Sequence, residues 1–350
     1  MFDATILITA IGGSGHGEQI LKAARLSKNL NLRIIGTDSR PEAHQYDWVD
    51  SAYQLPLASS PDYMDALLDL CMENGVQAVL HGSEPEMLRI SGERDRLVQN
   101  GIIPIMNSAD VIAICGDKIR TSEFLEEGGF NPPKWQYLRD LDRIESIDFY
   151  PVIVKPFRSS GGSTHVYIAQ DINELSALSG YLRQYSELGL MIQQYVGTSE
   201  SEYTVGVLSS LTGQVVSGIA LKRDLSGSLS VRTRVPNRTS SSKLGSTLVV
   251  SSGVSQGRID DYQQIVEYCI DVARGLDSRG GINFQCRIDE DGVRIFEINP
   301  RLSGTTSLRA INGYNEVEYL IRTEVLGETD VPTPVAIAGG IERGLTEFRI

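Results

Sequence analysis

Polar side chains recur at two-residue spacing near the carboxyl end of the chain. Gln285 comes before a short turn, and Glu297, Asn299 and Arg301 come after it. Side chains alternate between the two faces of a strand, so a hairpin that pairs Gln285 with Glu297 also places Asn299 on their face. A carboxylate and two amide oxygens suit Mg²⁺, which takes further oxygen ligands from nucleotide phosphates. The pattern predicts a magnesium–nucleotide site; the alternative is an ordinary hairpin with polar outer residues.

The turn of this hairpin sets which residues face each other. Pairing Asp289 with Val293 leaves the three-residue loop Glu290-Asp291-Gly292, in which the last position favours a left-handed glycine. The opposite face then carries apolar side chains, and we expect it to pack into a core. Those side chains are Phe284, Cys286, Ile288, Phe296 and Ile298.

A second candidate phosphate site lies upstream. Lys155 ends an apolar strand over 151–155 and offers a point charge for a phosphate chain. Small residues follow, and their amides could close over phosphates where larger side chains would prevent it. They are Ser159, Ser160, Gly161, Gly162 and Ser163. The alternative is a hairpin with a loose turn.

These motifs, in this order, resemble the ATP-grasp superfamily, and most of all its carbamoyl-phosphate synthetase-like (carboxylate–amine ligase) branch. The motif Glu297-Ile-Asn299-Pro-Arg301, with Gln285 across the hairpin, carries the resemblance. It implies that Gln285, Glu297 and Asn299 bind metal and that Arg301 acts on the transferred phosphoryl group. It also implies that Lys118, after Gly116-Asp117, reaches a phosphate; the alternative for Lys118 is an exposed residue on a capped surface helix.

The resemblance extends to the strand that would link the lid to the carboxyl-terminal domain. The linker residues that would contact the nucleotide base are Gln193, Gln194, Tyr195 and Val196. The family often has an acidic residue there, and glutamines stand in its place, which leaves base contacts to backbone and amide groups. Glu202 opens the next strand, either as a ribose contact or as a supporting residue.

Basic and hydroxyl residues supply candidates for the acid substrate. Arg223 and Arg232 belong to a basic stretch over 221–243 that could clamp a carboxylate or be a solvated loop. Arg309 is a further candidate clamp, or a surface residue of a helix. The hydroxyl side chains that follow the metal motif are expected to contact an anion, and they are Ser303, Thr305 and Thr306.

The amino-terminal part alternates strand and helix patterns over residues 4–116, which indicates a mostly parallel sheet. Its glycine-rich loop, Gly12–Gly17, lacks the spacing of a dinucleotide fingerprint, although Asp38 follows the second strand. We expect a strand-to-helix turn that faces a substrate, with NAD binding as the weaker alternative. Farther along, a helix is predicted over 258–276 and a terminal strand over 339–350.

The predicted fold class is α/β, with a Rossmann-like domain ahead of an ATP-grasp fold. We place the Rossmann-like domain at 1–117, the linker helix and lid subdomain at 118–195, and the α+β carboxyl-terminal domain with the metal and phosphate site at 196–350. A length of 350 residues is sufficient for two or three domains with their own cores.

Composition narrows the class of protein. The net charge is −13, with 41% hydrophobic and 22% charged residues, and no basic run is present. Nucleic acid is therefore not an expected partner. The four cysteines are scattered without metal-site spacing, as in a reducing compartment. The sequence shows neither a signal-peptide pattern nor a transmembrane run, so we expect a cytoplasmic protein without a membrane partner.

The resemblance implies ATP-dependent joining of a carboxylate to an amine through an acyl phosphate, with release of ADP and phosphate. The expected cofactors are ATP and two Mg²⁺ ions, with Mn²⁺ as a substitute. Expected substrates are a small carboxylate and an amine, amino acids among them, and a homodimer is a family-level expectation. The alternatives are an enzyme of the carbamoyl-phosphate type that phosphorylates bicarbonate, and an ATP-binding protein without turnover.

Overall fold

The structure is a computed structural model, and it describes most of the chain. The described residues are 2–13, 15–139, 141–158, 165–186 and 188–348.

A five-stranded parallel sheet forms the amino-terminal part, in the order β3-β2-β1-β4-β5. Its strands are β1 Ala4–Ile8, β2 Leu32–Asp38, β3 Ser51–Gln54, β4 Ala78–Leu80 and β5 Ile103–Pro104. Its helices are α1 His16–Arg25, α2 Tyr63–Asn74, α3 Glu84–Gly92 and α4 Arg94–Gln99. The chain leaves β1 and β4 in opposite directions across the sheet, and such a switch point opens a crevice at the carboxyl ends of the strands.

Two short helices, α5 Ala109–Cys115 and α6 Lys118–Glu127, connect this sheet to the rest. The Asp117 side chain accepts hydrogen bonds from the amides of Ile119 and Arg120 and so caps α6. The cap fixes the start of the helix and thereby the position of Lys118.

A four-stranded antiparallel sheet follows, in the order β6-β9-β7-β8. Its strands are β6 Trp135–Leu138, β7 Val152–Pro156, β8 Tyr167–Ala169 and β9 Leu190–Gln194, with helix α7 Ile172–Leu182 packed on them. The central strand β7 carries Lys155.

The carboxyl-terminal part contains a six-stranded antiparallel sheet and a separate two-stranded ribbon. The elements are β10 Glu202–Ser209, β11 Val215–Arg223, β12 Val231–Pro236, β13 Thr247–Ser251, β14 Gly257–Ile259, α8 Gln263–Gly275, β15 Gly280–Asp289, β16 Gly292–Asn299, α9 Thr306–Ile311, α10 Glu316–Leu320 and β17 Gly339–Ile341. The order of the large sheet is β16-β15-β10-β11-β14-β17, and β12 pairs with β13. Apolar residues of α8, β10 and β15 form the core beneath the sheet, so the opposite face of β15 and β16 is left for chemistry.

The predicted helix over 258–276 was wrong in its first part. Residues Gly257–Ile259 form β14, which pairs with β11, and the helix begins at Gln263. Gly257 has a φ of 147°, and a Cβ there would lie 2.0 Å from the carbonyl oxygen of Lys222. This close approach of two strands fits glycine and overrides the helical pattern.

The predicted hairpin register was right at the pair of Gln285 and Glu297 and wrong at the turn. Gln285 lies opposite Glu297 as expected, but Asp289 pairs with Gly292 instead of Val293. An irregularity between Gln285 and Cys286 absorbs the one-residue difference, because Cys286 pairs with Ile295 and leaves Phe296 as the extra residue.

The bulge also corrects the predicted core. Ile295 is 1% exposed and takes the core position, whereas Phe296 is only half-buried and turns toward a cavity. The expectation that Phe296 packs into the core was therefore wrong. A bulge reverses the alternation of side chains on one side of it.

Candidate active site

The candidate metal ligands lie together on the hairpin of β15 and β16. The Nε2 of Gln285 donates to Oε2 of Glu297 over 2.6 Å, and Asn299 lies opposite Asn283 two pairs farther along the ladder. Within the described ranges, no cluster of three or more His, Cys, Asp or Glu side chains could hold a metal. A single carboxylate with amide oxygens fits Mg²⁺ completed by phosphate oxygens, and it does not fit an all-protein transition-metal site.

Arg301 is bound to this group. Its Nη2 donates to Oδ1 of Asn299 over 3.1 Å and to Oε1 of Glu84 over 3.0 Å. Glu84 begins α3, so an ion pair joins the amino-terminal domain to the metal motif. Arg301 is thus held beside Asn299 by a carboxylate, which orients its guanidinium.

Two lysines face Glu297 from other elements. Lys155 is buried, and its Nζ donates to Oε1 of Gln193 over 2.7 Å and to the carbonyl oxygen of Phe296 over 3.4 Å. Burial, and then the neighbouring charge of Lys118, lower the pKa of Lys155 to about 7, although Glu297 opposes the shift. An ammonium group with so few charged partners is suited to receive an anion.

A cavity of about 700 Å³ lies between the four-stranded sheet and the six-stranded carboxyl-terminal sheet. Nine residues predicted to bind nucleotide or metal line it together, from six separate segments. They are Lys118, Lys155, Gln193, Gln194, Tyr195, Val196, Glu202, Gln285 and Glu297. Apolar side chains complete its wall, namely Ile153, Val166, Val249, Val250 and Phe296. An apolar slot that ends at two lysines and a carboxylate matches a flat base with a phosphate chain. The predicted loop residues Ser159, Ser160, Gly161, Gly162 and Ser163 lie outside the described residues.

Glu202 belongs to the wall of this cavity and forms a buried ion triad. Its carboxylate accepts from Arg223 over 3.0 Å and from Arg287 over 2.8 Å, and all three side chains are buried. Burial alone would raise the pKa of Glu202, but Arg287 and then Arg223 hold it below its usual value. Arg287 also donates to the carbonyl oxygen of Val196 and lies 4.5 Å from the Tyr195 ring centroid. This arrangement favours the supporting role for Glu202, and Arg223 also donates to Oγ of Ser251 at the end of β13.

The structure does not place the other basic candidates in the cavity. Arg232 is exposed on β12 and is not among the residues that line it. Arg309 is 1% exposed, forms an ion pair with Glu316 at 3.1 Å, and donates to Oδ1 of Asn283 over 2.7 Å. The surface position considered for Arg309 is therefore wrong, and its bonds favour orientation of Asn283 over direct contact with a substrate carboxylate.

The hydroxyl groups after the metal motif also bond within the protein. Ser303 and Thr305 share a hydrogen bond of 2.6 Å, and Thr306 accepts from the amide of Ser303 over 3.1 Å. All three are buried. These bonds shape the loop that follows Arg301.

Sequence reasoning missed three residues around that loop. His81 follows β4 and His16 begins α1, and burial followed by the charge of Arg301 lowers the pKa of both, that of His81 to about 4. Arg343 donates to Gln19, to the carbonyl oxygen of Ser255 and to that of Gly304. The position of His81 at the carboxyl end of a parallel strand was a usable signal, whereas nothing in the sequence around Arg343 indicated its place.

The glycine-rich loop after β1 forms the strand-to-helix turn that was expected. Asp38 accepts from the amide of Gly12 over 2.8 Å and pairs with Arg40 at 3.2 Å. Because Asp38 is already bonded to the loop and to Arg40, the geometry does not favour the alternative of NAD binding. Within the described residues, the helices are all too short or too polar to cross a bilayer.

Two family models match separate parts of the chain. Residues 188–342 match the model described as "ATP-grasp in the biosynthetic pathway with Ter operon". Residues 6–105 match the model described as "PylC-like, N-terminal domain". The first match contains the hairpin with Gln285, Glu297 and Asn299.

The curated relatives are much longer proteins. The chain is 25% identical over 300 residues to the carbamoyl phosphate synthase large chain of Caldanaerobacter subterraneus subsp. tengcongensis, which covers 82% of this chain and 25% of the relative. It is 25% identical over 219 residues to that of a Thermoanaerobacter species, which covers 61% of this chain and 18% of the relative. The chain thus spans a quarter or less of these relatives.

Solved structures share the fold at low identity. N5-carboxyaminoimidazole synthetase from Staphylococcus aureus, complexed with ADP, matches with a TM-score of 0.68 at 16% identity and covers 96% of this chain and 80% of that chain. L-amino acid ligase from Bacillus licheniformis matches with a TM-score of 0.65 at 16% identity, covering 96% and 76%. The fold, the metal-motif hairpin and the two family matches agree: residues 188–342 match an ATP-grasp domain, and a match to a PylC-like domain over residues 6–105 precedes it.

Proposed function

We propose that this chain is an ATP-dependent carboxylate–amine ligase that releases ADP and phosphate. The observation that carries the proposal is the convergence of Lys155, Gln285 and Glu297 on one cavity with an apolar slot beside it. ATP and Mg²⁺ are the family's cosubstrate and metal, and the oxygen donors of the hairpin suit that metal.

In the proposed reaction, a substrate carboxylate oxygen attacks the terminal phosphorus of ATP, and the bond to ADP breaks. The amine nitrogen then attacks the acyl carbon and expels phosphate, and an amide forms as the nitrogen loses a proton. When bound, two Mg²⁺ ions, or Mn²⁺ in their place, would neutralise phosphate charge at Gln285, Glu297 and Asn299.

The chain's own side chains bind the phosphates, position the base and stabilise negative charge in the proposed reaction. Lys118 and Lys155 bind the phosphate chain and offset the charge that spreads over the transferred group. Tyr195 and Val196 seat the base, because Arg287 holds both from behind. Arg301 orients Asn299 and stabilises negative charge beside it.

Two predicted site residues, Arg309 and Arg232, do not line the cavity, and we propose other roles for them. Arg309 positions Asn283 behind the metal face through its bond of 2.7 Å. Arg232 is proposed as a contact for the acid substrate from its exposed position on β12.

Similarity to carbamoyl phosphate synthase large chains supports a second candidate, in which bicarbonate is the acid. The solved relatives include a 2-oxoglutarate carboxylase biotin carboxylase domain with MgADP and bicarbonate, at a TM-score of 0.65 and 18% identity, covering 95% of this chain and 72% of that chain. We propose a small carboxylate and an amine as the substrates, amino acids among them, and a homodimer as the assembly.

The test is ADP release from MgATP with amino acids offered singly and in pairs, beside bicarbonate with and without an amine. Release that needs an organic acid and an amine, and that is lost in Glu297→Gln, supports the ligase. Release with bicarbonate and no organic acid supports the second candidate instead. Tight MgATP binding without release in any arm would contradict both and favour a nucleotide-binding protein without turnover.

A further inference from the structure

We call the cavity lined by Lys155, Gln285 and Glu297 the nucleotide cavity. A second cleft adjoins it along the edge strand β16. Its volume is about 1530 Å³, and it shares Lys118, Phe296 and Glu297 with the nucleotide cavity. Asn299 lies on its wall as well. The two spaces therefore meet at the group that would hold the terminal phosphate, so a molecule in the second cleft can bring one end to the reacting phosphorus.

Away from this end, the cleft is lined by apolar side chains of α3 and α5. Leu88 is 58% exposed, and Pro85 and Ala113 are exposed beside it, with Met87 and Ile112 buried behind them. Ser83 caps α3 by accepting from the amide of Glu86, which fixes how the helix presents Leu88 to the cleft. Exposed apolar groups in a concave site indicate a ligand with an apolar surface.

Several charged groups of the cleft form ion pairs within the protein, and Arg120 donates to the carbonyl oxygen of Ala113 over 3.5 Å. Glu84 is paired with Arg301 at 3.0 Å, and Arg158 is paired with Asp117 at 2.9 Å. Toward Leu88 the wall carries no comparable ion pair among the described residues that line it. The cleft is thus charged where it meets Glu297 and mainly apolar along α3, with Arg120 as a cation beside Ala113.

We infer that the acid activated at this site carries an apolar body of several carbons, which lies on Leu88 and Ala113 while its carboxylate binds Lys118 at the end of the cleft where Glu297 lies. This inference rests on the proposed ligase function, since it assigns the second cleft to the acid. It names the substrate class as hydrophobic carboxylates, such as amino acids with large aliphatic side chains.

Calorimetric titration of the MgADP-loaded protein with octanoate and with butanoate tests the inference without turnover. Each buried methylene strengthens binding by roughly threefold to fourfold, so octanoate should bind at least about tenfold tighter than butanoate. Leu88→Asn and Ala113→Asn should each reduce that ratio by about threefold or more. Val98→Asn is the matched control, because Val98 is 53% exposed on α4, outside the cleft, and this variant should keep the ratio.

Equal binding of the two acids would overturn the inference, as would a ratio that survives both cleft variants or is lost in Val98→Asn. ADP release with glycine and with leucine as the acid then separates the two proposals. A preserved octanoate preference without ADP release from any acid and amine leaves the cleft assignment standing and contradicts the ligase. Equal release with glycine and leucine, beside equal binding of the two fatty acids, supports the ligase and contradicts the hydrophobic substrate class.

Discussion

Glu202 and Lys155 are both buried charged residues beside the nucleotide cavity. Their surroundings stabilise the charged form of Glu202 and destabilise the charged form of Lys155. Glu202 lies between two guanidinium groups, and its lowered pKa means that its charged form is stabilised. Lys155 bonds to an amide and a carbonyl oxygen, and its lowered pKa, about 7, means that its charged form is destabilised. The same direction of shift has opposite meanings for an acid and a base.

This difference indicates that Glu202 is a structural residue and that Lys155 is a ligand-binding residue. The triad of Glu202, Arg223 and Arg287 satisfies its charges inside the protein and holds the linker and β13 in place. Lys155 instead stays poorly compensated until an anion enters the cavity. Perturbed pKa values of this second kind mark functional sites.

The largest expected effect is on turnover at the metal face. Glu297→Gln keeps the shape of the side chain but removes the one carboxylate of the donor set, so ADP release should fall by about a thousandfold. The melting temperature should change little, because Glu297 is half-buried and faces the cavity. Glu290→Gln, at the exposed turn of the same hairpin, is the matched control and should keep full activity.

Removing the acid of the triad should chiefly affect stability. Glu202→Gln leaves two buried guanidinium groups without their carboxylate, which we expect to lower the free energy of unfolding in urea by about 3 kcal/mol. Glu174→Gln breaks the more exposed pair with Arg238 and should cost less than about 1 kcal/mol. Equal losses in the two variants would contradict the supporting role of the triad.

Lys155→Met should affect nucleotide binding and leave stability intact, in contrast to Glu202→Gln. It removes a poorly compensated buried charge, so stability should stay the same or rise, while MgADP affinity measured by calorimetry should fall by about tenfold or more, as for a lost charge-assisted contact. Lys243→Met, at an exposed ion pair, should change neither quantity. A large loss of stability in Lys155→Met would place Lys155 with Glu202 as a structural residue.

The smallest effect is a dependence on pH, and the two residues act in different windows. Between pH 7 and 10.5 the unfolded state holds the Lys155 proton and the folded state does not, so this residue makes stability rise with pH there. Glu202 contributes stability above pH 4.5 that is lost as the pH falls through its lowered folded pKa. Urea unfolding as a function of pH measures both slopes.

Nucleotide binding should couple to the Lys155 proton. Phosphate favours the charged lysine, so MgADP binding at pH 8 should take up close to one proton, and affinity should decline above pH 7. Calorimetry in two buffers of different ionisation heat measures this uptake. Uptake that persists in Lys155→Met would assign the proton to another group.

The sequence was most informative where a local rule acts on neighbouring residues. The turn register predicted that Gln285 faces Glu297, and the structure confirms this pairing although the turn itself differs by one residue. Alternation along β16 then predicted that Asn299 shares the face of Glu297. The same rule failed for Phe296, because a bulge moved it out of the core and into the nucleotide cavity. A bulge depends on how the sheet twists against its surroundings, which alternation does not describe.

Long-range pairing limited the remaining predictions. Arg309 has the charge and position of a substrate clamp in the sequence, yet it is buried against Glu316 and Asn283. Arg343 lies far from the motifs in sequence, yet it contacts Gln19 and Gly304. Whether an arginine meets a ligand or a buried acid depends on which segments pack around it.

The sequence by itself determined the hairpin face with Gln285, Glu297 and Asn299, the strand that carries Lys155, and the alternating pattern of the first sheet, because each follows from local periodicity. Only the tertiary structure decided that these segments meet at one cavity, that Glu202 is satisfied by two arginines, and that an apolar cleft opens beside Glu297. Burial and charge compensation arise between segments far apart in the chain, so they exist only once the chain has folded.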